Sequence, residues 1–462
     1  MDNLKENSRK ELGEPDTNPH RGGAHVLFLV VVGMIFLAFT VVFLFFPRSE
    51  YSELEKRDLA TFPSLDSIGH NPSKLTADIS RWFSDSEPYR DHFMGMSMTF
   101  RDAVKFRPGG EEEAISFKPA AQDEKMPETE EAPEEVAQGN PMANANAKLA
   151  NSGIIVVGTG KDVRALMAYG GTGKMGDGYI KAVNAYQEAF PEAKVYALVI
   201  PTSTEFYLPD RASKLSKPQR PTIDHVKENI SPKVKFVDVH SILAAHTKED
   251  IYLRTDHHWA PLGAFYAAKA LAREAGVPFK EIDSYDSHVI QNFVGSMYGY
   301  SKDISVKNAP EDFIYYTPKN LNPQTSYITY HTDKNYNVVS QKGPYIDSFF
   351  KQYPQGSSQA YMTFMGGDSQ IVKVKTGSPG NRRLLIIKDS FGNPIPSFLF
   401  YSFDEVHVVD FRYFKKNMKQ YVADNKITDI ALAFNVFNVC SGSAMDKVRV
   451  FLTQEGDAFS PS

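Results

Sequence analysis

The sequence predicts an α/β domain built on a buried parallel sheet with flanking helices, and three observations point there. Short runs of β-branched and aliphatic residues recur at 154–157, 195–200, 234–237, 384–387, 406–409 and 430–434, apolar on both faces as strands of a covered parallel sheet are. Helical periodicity fits 179–190, 262–275 and 414–423, between those runs. Strand and helix therefore alternate, the pattern of a doubly wound sheet.

The chain has 462 residues, 42% of them hydrophobic, enough for one large domain with appendages. A net charge of −5 without a Lys/Arg cluster argues against a nucleic-acid partner, since phosphate binding needs a basic face. The single cysteine, Cys440, excludes an internal disulfide and leaves the compartment open.

Taken in order, residues 1–23 read as a cytoplasmic tail and 24–46 as one transmembrane helix. The second stretch is apolar over about 23 residues, enough to cross a hydrocarbon core of about 30 Å. Lys5, Arg9, Lys10 and Arg21 precede it and Arg48 closely follows, so the positive-inside rule places the following chain outside the cytoplasm. Residues 47–108 carry amphipathic helical spacings near the membrane. Between Glu111 and Glu135 there are ten Asp/Glu against two lysines, with prolines interspersed, and 109–147 is expected to be a disordered acidic linker. Residues 148–455 form the predicted catalytic domain. Its block 284–383 breaks the strand–helix alternation and reads as an insertion of loops and short strands beside the site. The Gly-rich run from Gly170 to Gly176 fails the phosphate-loop motif, because Met175 follows Lys174 where Ser or Thr is required.

The chemistry concentrates in Thr255-Asp256-His257-His258-Trp259-Ala260-Pro261. If this segment is extended, residues two apart share a face, so Asp256 can accept from the His258 ring while His257 points away. That is the orienting acid and base of a serine-type site. Pro261 suits a first helical position and Gly276 a C-terminal cap, so helix 262–275 would support the pair. A structural role for the histidines and Trp259 is one alternative. Metal binding is another, although no HExxH or CxxC lies nearby to complete a ligand set, and neither a metal nor another cofactor is expected.

Two serines compete as nucleophile. Ser369 ends the Gly366-Gly367-Asp368-Ser369 string inside the insertion. Ser390 follows the run 384–387 directly and precedes Gly392 and Pro394, a strand-to-helix turn that would expose its hydroxyl at the carboxyl end of the sheet, with helix-terminal N–H groups aimed at a developing oxyanion. Ser390 is the favoured nucleophile. The bland alternative makes Asp389 and Ser390 caps of the next helix.

The DHHW stretch, followed by Ile387-Lys388-Asp389-Ser390-Phe391-Gly392-Asn393 and then Val408-Val409-Asp410-Phe411-Arg412-Tyr413, resembles the DHHW family, which is similar to the SGNH-hydrolase-like alginate O-acetyltransferases. The resemblance implies a rearranged SGNH-like fold with Asp256, His258 and Ser390 as the triad, an extracytoplasmic domain, and acetyl transfer to an exopolysaccharide. It suggests Arg412 as a substrate-side arginine, with a fold-stabilising ion pair as the alternative. It also suggests Asn435 as an oxyanion-hole side chain, with a strand-end turn residue as the alternative. The expected partners are a polysaccharide acceptor and a membrane-embedded acyl-donor protein. The rival functions are a carbohydrate esterase and a non-catalytic glycan-binding or envelope-assembly protein on the same fold.

Overall fold

The computed structural model describes residues 26–28, 30–34, 36–38, 40–41, 51–52, 57–63, 72–86, 137–332, 338–368 and 370–455. The chain divides into two compact units, residues 1–97 and 98–462. In the first, the described residues between 26 and 41 are helical. The expected span at 24–46 lies partly outside the description, and among the described residues no helix is long and apolar enough to cross a membrane. Further on, Tyr51–Ser52 pairs with Arg57–Asp58, and helix Pro72–Asp85 is closed against the preceding chain. The Ala60 N–H donates to Asp85 Oδ2 (3.0 Å), and the Phe62 and Trp82 rings meet edge to face at 4.8 Å.

Most of the acidic segment, 109–136, lies outside the described residues. Its last expected residues, 137–147, are ordered against the body of the second unit rather than part of a disordered linker, because their backbone and side chains find partners there: the Gln138 N–H donates to the Ala244 carbonyl and the Asn140 amide to the Leu208 carbonyl.

The second unit begins with a small antiparallel sheet, β1 (Ala147–Leu149), β2 (Ile154–Val157) and β3 (Arg164–Met167). The run 154–157 was expected in the parallel sheet. It pairs instead with its immediate neighbours in sequence, because only six residues separate its end from β3 and no crossover helix intervenes. After helix α1 (Asp177–Ala189) come β4 (Lys194–Ile200), helix α2 (Arg220–Asn229), β5 (Lys235–Val237) and helix α3 (Pro261–Ala275). The insertion contributes hairpin β6 (Tyr285–Phe293) and β7 (Glu311–Pro318), then β8 (Gln324–Thr332), β9 (Val338–Ile346) and β10 (Gln370–Lys375). The chain ends with β11 (Arg383–Lys388), β12 (Glu405–Asp410), helix α4 (Met418–Asn425), β13 (Asp429–Asn435) and helix α5 (Gly442–Val450).

The central sheet has eight strands in the order β9-β8-β10-β12-β11-β13-β4-β5. Strands β12, β11, β13, β4 and β5 run parallel, and β10, β8 and β9 extend the sheet antiparallel. Much of the expected insertion is therefore an enlargement of the sheet itself.

Alternation along the strands sorts the two cores. Leu384, Ile386, Val406, Val408, Ala431 and Ala433 share one with α3, while Leu385, Ile387, Ile430, Leu432 and Phe434 share the other with α1 and α5. The alanine-rich α3 contributes Ala264, Ala267, Ala268 and Ala272 to the first core, where small strand residues such as Ala431 and Ala433 leave room for its backbone to come close. Pro261 opens this helix and Gly276, at φ 65°, ends it in the left-handed conformation, as the sequence predicts.

Candidate active site

The Asp256–His258 segment is a closed bend, not an extended strand. Tyr252 pairs with Trp259 across it. The cause is Glu311, buried at the start of β7, whose carboxylate accepts from the N–H groups of Arg254 (2.8 Å) and Thr255 (2.6 Å) and from the Thr255 hydroxyl (2.6 Å). Burial pushes the Glu311 carboxyl above its usual range, and these donors oppose that rise. The residues preceding the next short helix complete the clamp: the Gly295 N–H donates to Thr255 Oγ1 (3.0 Å) and the Ser296 N–H to Asp256 Oδ2 (2.7 Å). Only glycine fits at 295, because a Cβ there would overlap the Asp256 side chain.

Glu311→Ala leaves several buried donors without an acceptor, at about 1–3 kcal/mol each for those that water cannot reach. The urea midpoint should fall markedly, and Glu311→Gln, which keeps one acceptor oxygen, should recover part of the loss. A midpoint equal to wild type in Glu311→Ala would contradict the clamp.

His258 joins two partners. Its Nδ1 lies 2.6 Å from Asp256 Oδ1 and its Nε2 lies 2.8 Å from Ser390 Oγ. An ionised carboxylate only accepts, so Nδ1 carries the proton and Nε2 is left to accept from the serine hydroxyl. Burial alone would raise the Asp256 pKa, but the adjacent imidazoles of His257 and His258 and the bonds from His258 and the Ser296 N–H hold it well below the usual carboxylate range. The ring of Tyr361, from the insertion, stacks on His258 at 3.9 Å and 7°, and its hydroxyl donates to the Ser390 carbonyl (3.0 Å). Trp259 Nε1–H donates to the Phe391 carbonyl (2.8 Å), fastening the bend to the serine turn.

His257 does not point away. The bend, which the Asp256 carboxylate tightens by accepting the His258 N–H (3.1 Å), brings the two imidazoles to 3.7 Å. His257 Nδ1 lies 2.7 Å from Ser296 Oγ and 3.6 Å from Asp256 Oδ1, so one carboxylate faces both rings. The expectation of opposite faces presumed a pleated strand, and the Glu311 clamp removes the pleat.

Ser390 sits where the sequence predicts, on a turn that follows β11 and leads to the short helix Ile395–Phe398. The hydrogen bonds of that turn differ from expectation. The Phe391 N–H donates to Asp389 Oδ1 and the Gly392 N–H to the Asp389 carbonyl, so the helix-terminal donors are occupied within the turn. Among the described residues, neither the Ser390 N–H nor the Asn435 side-chain amide donates a hydrogen bond. The register, Lys388 opposite Ala433, puts Asn435 level with Ser390 one strand away. Asn435 Oδ1 meanwhile accepts from the N–H groups of Phe437 (2.9 Å) and Asn438 (3.1 Å). It is thus the strand-end turn residue that the sequence offers as an alternative, with its amide nitrogen left over. Asp389, a cap in the bland alternative, does cap the turn; it is also buried beneath it and accepts from the Asn435 N–H and the Asn438 amide, both at 2.8 Å. Burial pushes its carboxyl above the usual range.

Arg412 is committed to ion pairs. Its guanidinium binds both oxygens of Asp410 (2.8 and 2.7 Å) and reaches Asp368 Oδ2 at 2.8 Å. Lys388 Nζ also donates to Asp410 (2.9 Å), and the Asn393 amide donates to Asp368 Oδ1 (2.9 Å). Burial opposes ionisation of Asp368, but Lys388, Arg412 and the Asn393 bond hold its carboxyl far below the usual range. The competing serine, Ser369, lies outside the described residues, yet its neighbour Asp368 anchors the insertion to the serine strand. Asp256, His258 and Ser390 are brought together, Asn435 ends the strand next to the one that leads to Ser390, and Arg412 turns to the acid network beside the serine turn. Tyr361, Ser296, Glu311 and Asp368 had no sequence signal beyond the Gly-Asp-Ser string.

Asp256, His257 and His258 offer ligand atoms within 4.8 Å of one another, a spacing that a cation could bridge. His258 would then give up either Asp256 or Ser390.

The fold and this geometry define an α/β protein with a serine at a strand-end turn, bonded to a histidine–aspartate pair. The family model described as DHHW protein matches residues 122–409, and the chain belongs to that family. A DHHW family protein from Eubacterium siraeum is similar in structure, with 34% identity and a TM-score of 0.59 over 68% of this chain and 99% of that one. Bacillus cereus PatB1 aligns at 21% identity and TM-score 0.49, covering 65% of this chain and 99% of its own. The O-acetyltransferase domain of Pseudomonas putida AlgJ aligns at 12% and 0.36, covering 64% and 98%. No curated protein matches the chain.

Proposed function

We propose that the protein is a membrane-anchored, serine-dependent O-acyltransferase that acetylates hydroxyls of a cell-surface polysaccharide outside the cytoplasm. The observation that carries this reading is the hydrogen-bonded row Asp256–His258–Ser390. Ser390 Oγ attacks the acyl carbonyl while His258 Nε2 takes its proton, and that proton leaves with the donor's leaving group. A sugar hydroxyl then attacks the acyl-serine and gives its proton to His258, which returns it to Ser390 Oγ as the ester bond to the serine breaks. Asp256 keeps the ring in the required tautomer throughout. The Ser390 N–H and the Asn435 amide are the unengaged donors available to the oxyanion, and Arg412 supports the turn through Asp368 and Asp410. The donor would be supplied by a membrane-embedded partner.

Incubation with 4-nitrophenyl acetate, followed by peptide mass spectrometry, should find one acetyl group on the peptide that carries Ser390. Acetyl gain against loss on defined glycans then separates transferase from esterase. Glycan binding with no serine-linked acetyl would leave the non-catalytic reading.

Anchoring is supported by the apolar stretch at 24–46 and by the exposure of its described residues, among them Val26, Leu27, Phe28, Met34, Phe36 and Leu37. Protease added to cells with a permeable outer barrier should cut the acidic segment 109–136. Cleavage only after lysis of the membrane would reverse the orientation.

A further inference from the structure

Four rings stand in a row at the site, and their exposure rises along it. Tyr361 stacks on His258, His258 lies 3.7 Å from His257, and the ring of Tyr300 meets His257 edge to face, 6.3 Å between centroids at 76°. Tyr361 and His258 are each 7% exposed, the His257 side chain 25% and Tyr300 49%. The row leads from the buried end of the site out to solvent.

Tyr300 is fixed in place by the same residues that hold Asp256. It belongs to the short helix Met297–Ser301, whose Met297 N–H donates to the Thr255 carbonyl (3.0 Å), directly after the Ser296 that binds Asp256 and His257. Tyr298 of the same turn is buried, so the turn is anchored through one tyrosine and presents the other. Burial, with the Asp256 charge adding to it, raises the Tyr300 phenol above its ordinary value.

We propose, on the acyl-serine reading of the site, that Tyr300 is the platform on which the acceptor binds and that this acceptor is a pyranose stacking its C–H face on the ring. An acetyl group is small enough to be held at the buried end, beside His258 and Ser390, and has no use for a flat surface farther out. A sugar ring combines the two features that the outer end requires: an apolar face for the Tyr300 ring and a rim of hydroxyls, one of which must reach His258 to give up its proton. The exposed aromatic is then the part of the wall that selects the acceptor.

The test is acetyl transfer from 4-nitrophenyl acetate to a panel of cellopentaose, chitopentaose and a mannuronate oligomer, with saturation-transfer NMR of the same oligomers. In Tyr300→Ala the acceptor KM should rise roughly threefold to tenfold, the scale of one aromatic stacking contact, with a smaller change in kcat at saturating acceptor. Tyr300→Phe and Tyr300→Trp, which keep a ring, should restore the KM, and wild-type saturation transfer should be strongest at ring C–H protons. An acceptor KM within twofold of wild type in Tyr300→Ala overturns the proposal. So does a failure of wild type to bind or acetylate any oligomer at millimolar concentration. Ser390-dependent nitrophenolate release is read in the same assay, so loss of the acyl-serine reading is distinguishable from loss of the platform alone.

Discussion

Replacing His258 with alanine should slow turnover of a small acyl ester by about 10²- to 10⁴-fold, roughly 3–5 kcal/mol of barrier, and replacing Ser390 should abolish the acetyl-enzyme altogether. The reason is geometric: His258 Nε2 is the acceptor placed against the Ser390 hydroxyl, at 2.8 Å. His257→Ala should cost far less, roughly tenfold, because it removes a ring facing Asp256 while leaving the His258 contacts in place. Steady-state rates on folded variants, checked by circular dichroism, decide the matter. Equal loss in both histidine variants, together with loss of activity on chelation, would favour a cation held by Asp256, His257 and His258 over the base assignment.

The second large effect is expected at Asp256. Its side chain is buried, accepts from His258 Nδ1 and from the Ser296 N–H, and is held ionised by its neighbours. Asp256→Asn preserves the volume but turns an amide towards His258, favouring the tautomer whose Nε2 carries a hydrogen and cannot accept from the serine. A loss of about 10⁴ in kcat is the scale of such a tautomer error. The thermal midpoint should move much less than for Glu311→Ala, since the Ser296 contact can be kept by the amide oxygen. A variant retaining more than a tenth of wild-type turnover would mean that Asp256 does not orient the base.

Much of the sheet could be read from the sequence because its strands are buried on both faces. The runs 384–387 and 430–434 need no partner information to be recognised, and Pro261 and Gly276 mark the ends of α3 by their own backbone preferences. Ser390 was legible for the same local reason, as a polar residue at the end of an apolar run. The separate pairing of 154–157 was not, because a buried strand has the same composition in either kind of sheet. His257 was misplaced because its direction depends on Glu311, some fifty residues downstream, whose carboxylate folds the bend. Tyr361 and Asp368 reach the site from a segment without periodicity, where composition says nothing about what a side chain will touch. Arg412 follows a strand that was read correctly, yet its ion pairs depend on Asp368 from that same segment.

The serine and its base are 132 residues apart in the chain, and the short strand-end turn that carries Ser390 is set in place by β11, which pairs between β12 and β13. The contact between the Ser390 hydroxyl and His258 therefore requires that the sheet has closed around β11. A chain whose sheet has not closed carries a hydroxyl with no base, as inert as any free serine, however many of its helices have formed. On dilution from denaturant the nitrophenolate burst should lag behind the recovery of helix, so the reaction itself keeps time for the last step of assembly.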